Sequence, residues 1–209
     1  FKNKMDVEGV LTPALRKALG VDLDDFLQGA PKAKATITEY RDGRISVDFD
    51  AGLNGSVVSV APLKYKATGK GTDRVKGRVI LQGDTLKSIE NFSLDAPDLK
   101  VDKGRFVFAS SKDGPTLSTL EFPVLKTGQS DISLGLKLEN KLQTIRVEGR
   151  RLDARPFLAK EKKEVTAAAR DNLAEQKIPL KLSASVNTAI LENGALNNLK
   201  LYVEQDAVG

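Results

Sequence analysis

The chain contains no cysteine, no histidine and no tryptophan. Without cysteine there are no disulfides, no thiol nucleophile and no thiolate metal site, and either a reducing or an oxidising compartment is compatible. Without histidine, Ser-His-Asp and Cys-His catalysis are excluded, and the commonest zinc ligand and general base is missing. Aromatic residues make up only 5 % of the chain. No apolar run approaches the ~18 residues of a membrane-spanning helix, and no signal-peptide pattern is present. The first residue is Phe1 rather than Met, so we expect a piece of a longer protein whose targeting segment lies outside it. A net charge of +5 spread over 209 residues permits attraction to anionic surfaces without demanding it.

What is present is alternation. The organising stretch runs from Gly77 to Phe108 and reads as short strands: Val79–Leu81, Leu86–Ile89, Phe92–Leu94 and Arg105–Phe108, the last entered from Leu99–Val101. Turns are expected at Gly83-Asp84, Asn91, Ala96-Pro97-Asp98 and Asp102-Lys103-Gly104, residues that tolerate positive φ or preset a bend. A loose echo returns at Leu117–Leu120 with Phe122–Val124, and again at Gly194–Leu201. Upstream, Met5–Leu11 reads as a strand, followed by Thr12 as N-cap and Pro13 opening a short helix to Leu19. Asp22–Gly29 reads as a second helical turn burying Leu23, Phe26 and Leu27. Lys34–Tyr40 and Ile45–Asp50 form a hairpin around Asp42-Gly43. Val57–Val60 is a strand, and Leu63–Lys76 a basic loop. Later strands are expected at Ile132–Leu138, Leu142–Gly149, Leu180–Val186 and Leu199–Val203. Lys160–Lys177 is the one long helical segment, rich in Ala, Glu and Lys. The organisation is therefore a β-meander over 1–159, a helical spacer over 160–178, and a resumption of strands over 179–209.

Each chemically suggestive cluster has a plainer reading. Asp48 and Asp50 share a strand face, as a cation site or an acid/base pair would; with no third ligand or base nearby, a solvated sheet face is the better account. Asp22, Asp24 and Asp25 lack the Gly and Glu of a calcium loop. Gly69-Lys70-Gly71-Thr72 lacks the helix a phosphate loop requires. The basic stretches Lys64–Arg78 and Arg146–Arg155 have only Tyr65 to stack on a base, so they read as solvating strand and loop charges rather than a nucleic-acid surface.

The remaining signal is an excess of apolar strand faces. They are Ile45/Val47/Phe49, Val79/Leu81, Phe92/Leu94, Phe106/Phe108, Leu134/Leu136/Leu138, Ile145/Val147 and Leu180/Leu182. An antiparallel sheet normally buries such a face on a second sheet or on helices, and helices are scarce here. Either the sheet folds into a sandwich, which periodicity alone favours, or it curls into a trough whose apolar inside stays open.

Three stretches resemble the AsmA-like superfamily, specifically the large YhdP-like proteins of Gram-negative bacteria. They are Val10–Gly29, Leu53–Gly69 with its strand–proline–basic/aromatic–glycine order, and Val147–Leu158 with Gly149-Arg150-Arg151-Leu152-Asp153-Ala154-Arg155-Pro156. The family often has Trp where Tyr65 stands, and a Gly/Asp-rich linker where the Lys160–Lys177 helix lies. The resemblance implies a mainly β fold, a curled antiparallel sheet forming an open groove, with short helices at one end and one inserted helix. It implies a segment of a bridge-like periplasmic protein, anchored in the inner membrane by parts outside this chain, that carries phospholipids between inner and outer membranes. The apolar residues named above would line the groove against acyl chains. Lys64, Lys66, Arg78 and Arg146 would meet headgroups. No cofactor, metal, catalytic residue or nucleic acid is called for. The alternative is a periplasmic scaffold or protein-interaction module without lipid cargo, and an enzyme is the least favoured reading.

Overall fold

The computed structural model describes residues 1–18, 26–60, 65–112, 114–139, 141–158 and 179–206. The expected Lys160–Lys177 helix, the Asp22–Asp25 cluster and Lys64 lie outside the described residues.

The molecule is mainly β: a large curled sheet, almost wholly antiparallel and not closed into a barrel, with very few helices among the described residues. Its strands are β1 (Asn3–Val10), β3 (Lys32–Glu39), β4 (Arg44–Gly52), β7 (Arg74–Gln82), β8 (Thr85–Ala96), β9 (Leu99–Ser111), β10 (Gly114–Thr127), β11 (Ser130–Glu139), β12 (Leu142–Asp153), β13 (Leu180–Leu191) and β14 (Gly194–Gln205). They form one eleven-stranded sheet in chain order, interrupted only by the insertions between β1 and β3 and between β4 and β7. A second sheet of three strands, β2 (Leu27–Gln28), β5 (Val57–Val60) and β6 (Tyr65–Thr68), is built from those insertions. The short helices are α1 (Pro13–Ala18) and α2 (Arg155–Leu158).

The organising stretch forms fewer, longer strands than its turn residues predict. Leu86–Ile89 and Phe92–Leu94 are one strand, β8, and Leu99–Val101 and Arg105–Phe108 are one strand, β9. Asn91 (φ 50°) and Lys103 (φ 55°) do adopt positive φ, but as bulges where the β8–β9 register slips rather than as chain reversals. A bulge inserts one residue and lets pairing resume. The same holds for the echo at Leu117–Val124, which is continuous β10 with register shifts at Leu117/Thr119 and Phe122/Leu125. Exposed Pro123 lies within the second shift, where its missing N–H costs no ladder bond. True reversals occur at Gly83-Asp84 and Pro97-Asp98.

Two other expectations are corrected. The basic loop Leu63–Lys76 contains β6 and the start of β7. Leu27 is buried as expected, but in strand β2, while Phe26 is exposed at 53 %. The Thr12 cap forms, its Oγ1 accepting the Leu15 N–H at 3.2 Å. Among the described strands the one departure from antiparallel pairing is β12 with β13, in register Ile145↔Leu182 and Val147↔Ala184. Parallel neighbours need a crossover rather than a hairpin, and β12 and β13 are accordingly far apart in sequence, Asp153 to Leu180.

Both insertions, and α2, leave the main sheet at the same end of the strands, after Val10, Gly52 and Asp153. The small sheet packs there. Leu27, Leu53 and Val58 join Leu94, Ala96, Leu99, Val101, Leu125, Ile132, Val186 and Ala189 in one buried cluster. Tyr65 donates its hydroxyl to the Pro97 carbonyl at 2.7 Å, tying β6 to the β8–β9 turn. Arg16, 1 % exposed, donates through its guanidinium to the carbonyls of Leu11, Leu27 and Gly29 at 2.9–3.1 Å, pinning α1 to β2.

Candidate functional site

Side chains alternate across a strand, so paired residues in neighbouring strands share a face. The ladder therefore fixes which apolar residues meet. Ile37, Val47, Val79 and Ile89 are successive partners, continuing to Phe106, Leu120, Leu136, Ile145, Leu182 and Val203. A second row runs Phe49, Gly77 with Phe92 beside it, Gly104, Phe122, Leu134, Val147, Ala184 and Leu201. The bulges preserve this. At Asn91 and Lys103 the inward residues step by three, Ile89 to Phe92 and Val101 to Gly104, and so stay on the same side.

All the apolar residues singled out in the sequence lie on this one face: Ile45, Val47, Phe49, Val79, Leu81, Phe92, Leu94, Phe106, Phe108, Leu134, Leu136, Leu138, Ile145, Val147, Leu180 and Leu182. Sequence alternation alone misses Ile89, Leu117, Leu120, Phe122 and Leu125 of the same face, because bulges shift their spacing from two to three. The signal that would find them is a pair of large apolar residues three apart across Asn or Pro, as in Ile89-Glu90-Asn91-Phe92 and Phe122-Pro123-Val124-Leu125.

The face is graded along the strands. At the end under the small sheet it is sealed: Leu99 is 2 %, Val101 3 % and Leu125 0 % exposed. Away from it, no second layer among the described residues covers the face. Leu94 is buried, but the other apolar residues named in the sequence are only half-buried. At the boundary stands an aromatic cluster. Phe106 meets Phe92 and Phe122 edge-on at 5.3 and 5.5 Å between centroids, and Phe92 stacks on Phe122 at 6.5 Å. Glycines make the room: a Cβ on Gly104 would come within 3.0 Å of the Phe122 ring, and one on Gly77 within 3.1 Å of Phe49.

The opposite face is a field of cross-strand ion pairs. Arg78 donates to both carboxylate oxygens of Asp48 (2.7 and 3.2 Å) and Arg74 to both of Asp50 (3.1 and 2.8 Å). Lys34–Glu8, Arg105–Glu121 and Lys181–Glu204 lie directly opposite one another. Arg150 and Lys126 share Asp131, whose carboxyl is held below its ordinary value chiefly by the Arg150 hydrogen bond. Asp153 accepts from the backbone and guanidinium of Arg155 and is likewise lowered. Asp48 and Asp50 are thus ion-paired on the polar face, and no cluster of potential metal ligands occurs among the described residues. In Gly69–Asp73 the Lys70 N–H is taken by the Asp73 carboxylate at 2.5 Å, closing a turn.

Arg78 and Arg146 are mid-strand on the polar side, Arg146 at 3.7 Å from Glu148. Lys66 is exposed on β6, between half-buried Tyr65 and Ala67. No helix among the described residues is long and apolar enough to cross a membrane. Comparison of the chain with family models, with curated proteins and with solved structures finds no match.

Proposed function

We propose that this chain is a groove segment that holds phospholipid acyl chains on the apolar face of its curled sheet. The observation that carries this reading is the continuity of that face across all the strands of the main sheet while one part of it stays only half-covered. A contiguous exposed apolar surface of this extent on a folded chain marks a binding surface. Ten strand-to-strand steps of ~4.8 Å give an apolar path of about 48 Å, longer than a single acyl chain. Each methylene taken from water onto it would contribute about 0.8 kcal/mol. The small sheet would stop the chains at the sealed end, and headgroups would stay in water at the uncovered end. Phosphate contacts there fall to exposed cations of the distal turns, Arg44 and Lys141, rather than to Arg78 and Arg146 on the far side.

The resemblance to the AsmA-like, YhdP-like proteins supplies the wider setting of this proposal: transport of phospholipid between the inner and outer membranes of a Gram-negative bacterium, through the periplasm, with membrane attachment in parts outside this chain. The groove itself needs no reactive group. Binding of a fluorescent-tailed phospholipid to the purified chain tests it. Leu136→Glu, at a half-buried position of the open part, is expected to weaken binding at least tenfold with the circular dichroism spectrum unchanged. Lys137→Glu, one residue along and facing the other way, is expected to leave binding within twofold. Equal binding by both variants, or none by the parent chain, would contradict the proposal.

A further inference from the structure

Among the described residues the main sheet has two edge strands to which no further strand is bonded, β1 and β14. β1 is exposed along its whole length, and β14 everywhere except Leu199. An uncovered edge presents a row of backbone N–H and C=O groups that templates another strand. Three features say which strand fits.

The first is direction. Eleven strands paired antiparallel throughout would leave the first and last running the same way. The single parallel step, β12 to β13, reverses that, so β14 runs opposite to β1. A second copy displaced along the sheet, without turning over, therefore offers its β1 antiparallel to the first copy's β14. The apolar faces of the two copies then lie on the same side.

The second is register. Met5 and Val7 lie on the apolar face through Ile37 and Ala35, and Leu201 and Val203 through Ala184 and Leu182. Setting Val7 opposite Leu201 brings Met5 opposite Val203 and Gly9 opposite Leu199. On the polar face the same register sets Lys4 opposite Glu204 and Glu8 opposite Lys200. Keeping faces matched allows slippage only by steps of two. One step one way sets Lys4 against Asp206, just outside β14, but also Asp6 against Glu204, like against like. One step the other way pairs Asp6 with Lys200 and sets Lys2, just outside β1, against Glu204, but leaves Lys4 facing Tyr202 and Glu8 facing Asn198. Opposite charges facing across strands stabilise a pairing and like charges destabilise it.

The third is continuity with pairs already present. Glu204 is bonded to Lys181 at 2.8 Å and Glu8 to Lys34 at 3.0 Å. The inferred register extends each into a row of alternating sign across the joint: Lys181, Glu204, Lys4, and Lys34, Glu8, Lys200.

We propose that β14 of one copy pairs with β1 of the next, head to tail, joining two curled sheets into one with a continuous apolar face. The contact is heterologous and open-ended, so it builds chains of copies rather than closed dimers. It does not depend on lipid being the cargo.

The chain lacks cysteine, so cross-linking can be aimed. Val7 and Leu201 are 45 % and 43 % exposed. A Val7→Cys protein mixed with a Leu201→Cys protein under mild oxidation should give the mixed disulfide in clear excess over either homodimer, since opposed Cβ atoms lie about 4.5–5.5 Å apart. Sedimentation of the parent chain should show species of two and more copies growing with concentration. Glu8→Lys should lower that association several-fold, and adding Lys200→Glu to the same chain should restore it. A single-copy mass at every concentration would overturn the proposal. So would a disulfide closed within one chain carrying both cysteines, or a predominance of Val7→Cys homodimer, which would mean a two-fold or self-closing contact.

Discussion

Gly69 sits where a side chain has no room. A Cβ there would lie 2.3 Å from the Leu53 carbonyl oxygen and 2.8 Å from the Leu53 Cβ, and Leu53 is 1 % exposed in the cluster under the small sheet. Gly69→Ala must therefore shift backbone, and a cost of about 1–3 kcal/mol is expected, read as a lower urea midpoint at unchanged slope. Charged residues make a different prediction. Asp131 titrates below its ordinary 3.8 in the folded chain because of Arg150. A lowered folded value means the stabilisation is present above 3.8 and is lost as pH falls through the folded value. The melting temperature of the parent chain should exceed that of Asp131→Asn at neutral pH, and the gap should close below pH 3.8; a gap constant down to acid would contradict the pairing. At this scale the sequence is legible in part. That Asp48 and Asp50 share a solvated face follows from spacing. That each is gripped by an arginine some 24–30 residues away follows only from the register of β4 on β7.

At the scale of elements, the difference between reading and structure has one recurrent cause. A residue with positive φ marks either a reversal or a bulge, and local sequence does not say which. Asp98 (φ 56°) and Asn91 (φ 50°) have nearly the same backbone angle, yet one ends β8 and the other sits inside it. What decides is whether the next strand's partners continue, and that is a long-range property. The bulge at Asn91 is testable. A β-branched residue is strained at positive φ, whereas Asn and Gly tolerate it. Asn91→Val should destabilise by about 1–3 kcal/mol, while Asn91→Gly should unfold near the parent's urea midpoint. Were Asn91→Val as stable as the parent, the ladder would have to run unbulged, and Phe92 would turn to the polar face. The alternating strands β4, β11 and β12 were legible because their period-two pattern is unbroken over the stretch that carries it. The parallel step to β13 was not, since a crossover leaves no mark in either strand it joins.

For the whole molecule, the choice between sandwich and trough is settled by coverage. Among the described residues the small sheet covers one end of the apolar face and no more, so a single surface is core at Leu99 and Leu125 and half-exposed at Leu136 and Phe108. Periodicity could place those residues on one side, but how far the covering layer extends depends on insertions whose strands are only two to four residues long. The proposed role rests on the open part alone. It is tested most directly with a phospholipid bearing a photoactivatable group in its acyl chain, cross-linked to the purified protein and mapped by peptide mass spectrometry. The account predicts cross-links at Phe106, Phe108, Leu120, Leu136 and Ile145, and none at Arg78, Glu121 or Arg146. Cross-links confined to the polar face or to the edge strands, or absent while the protein is folded, would contradict it.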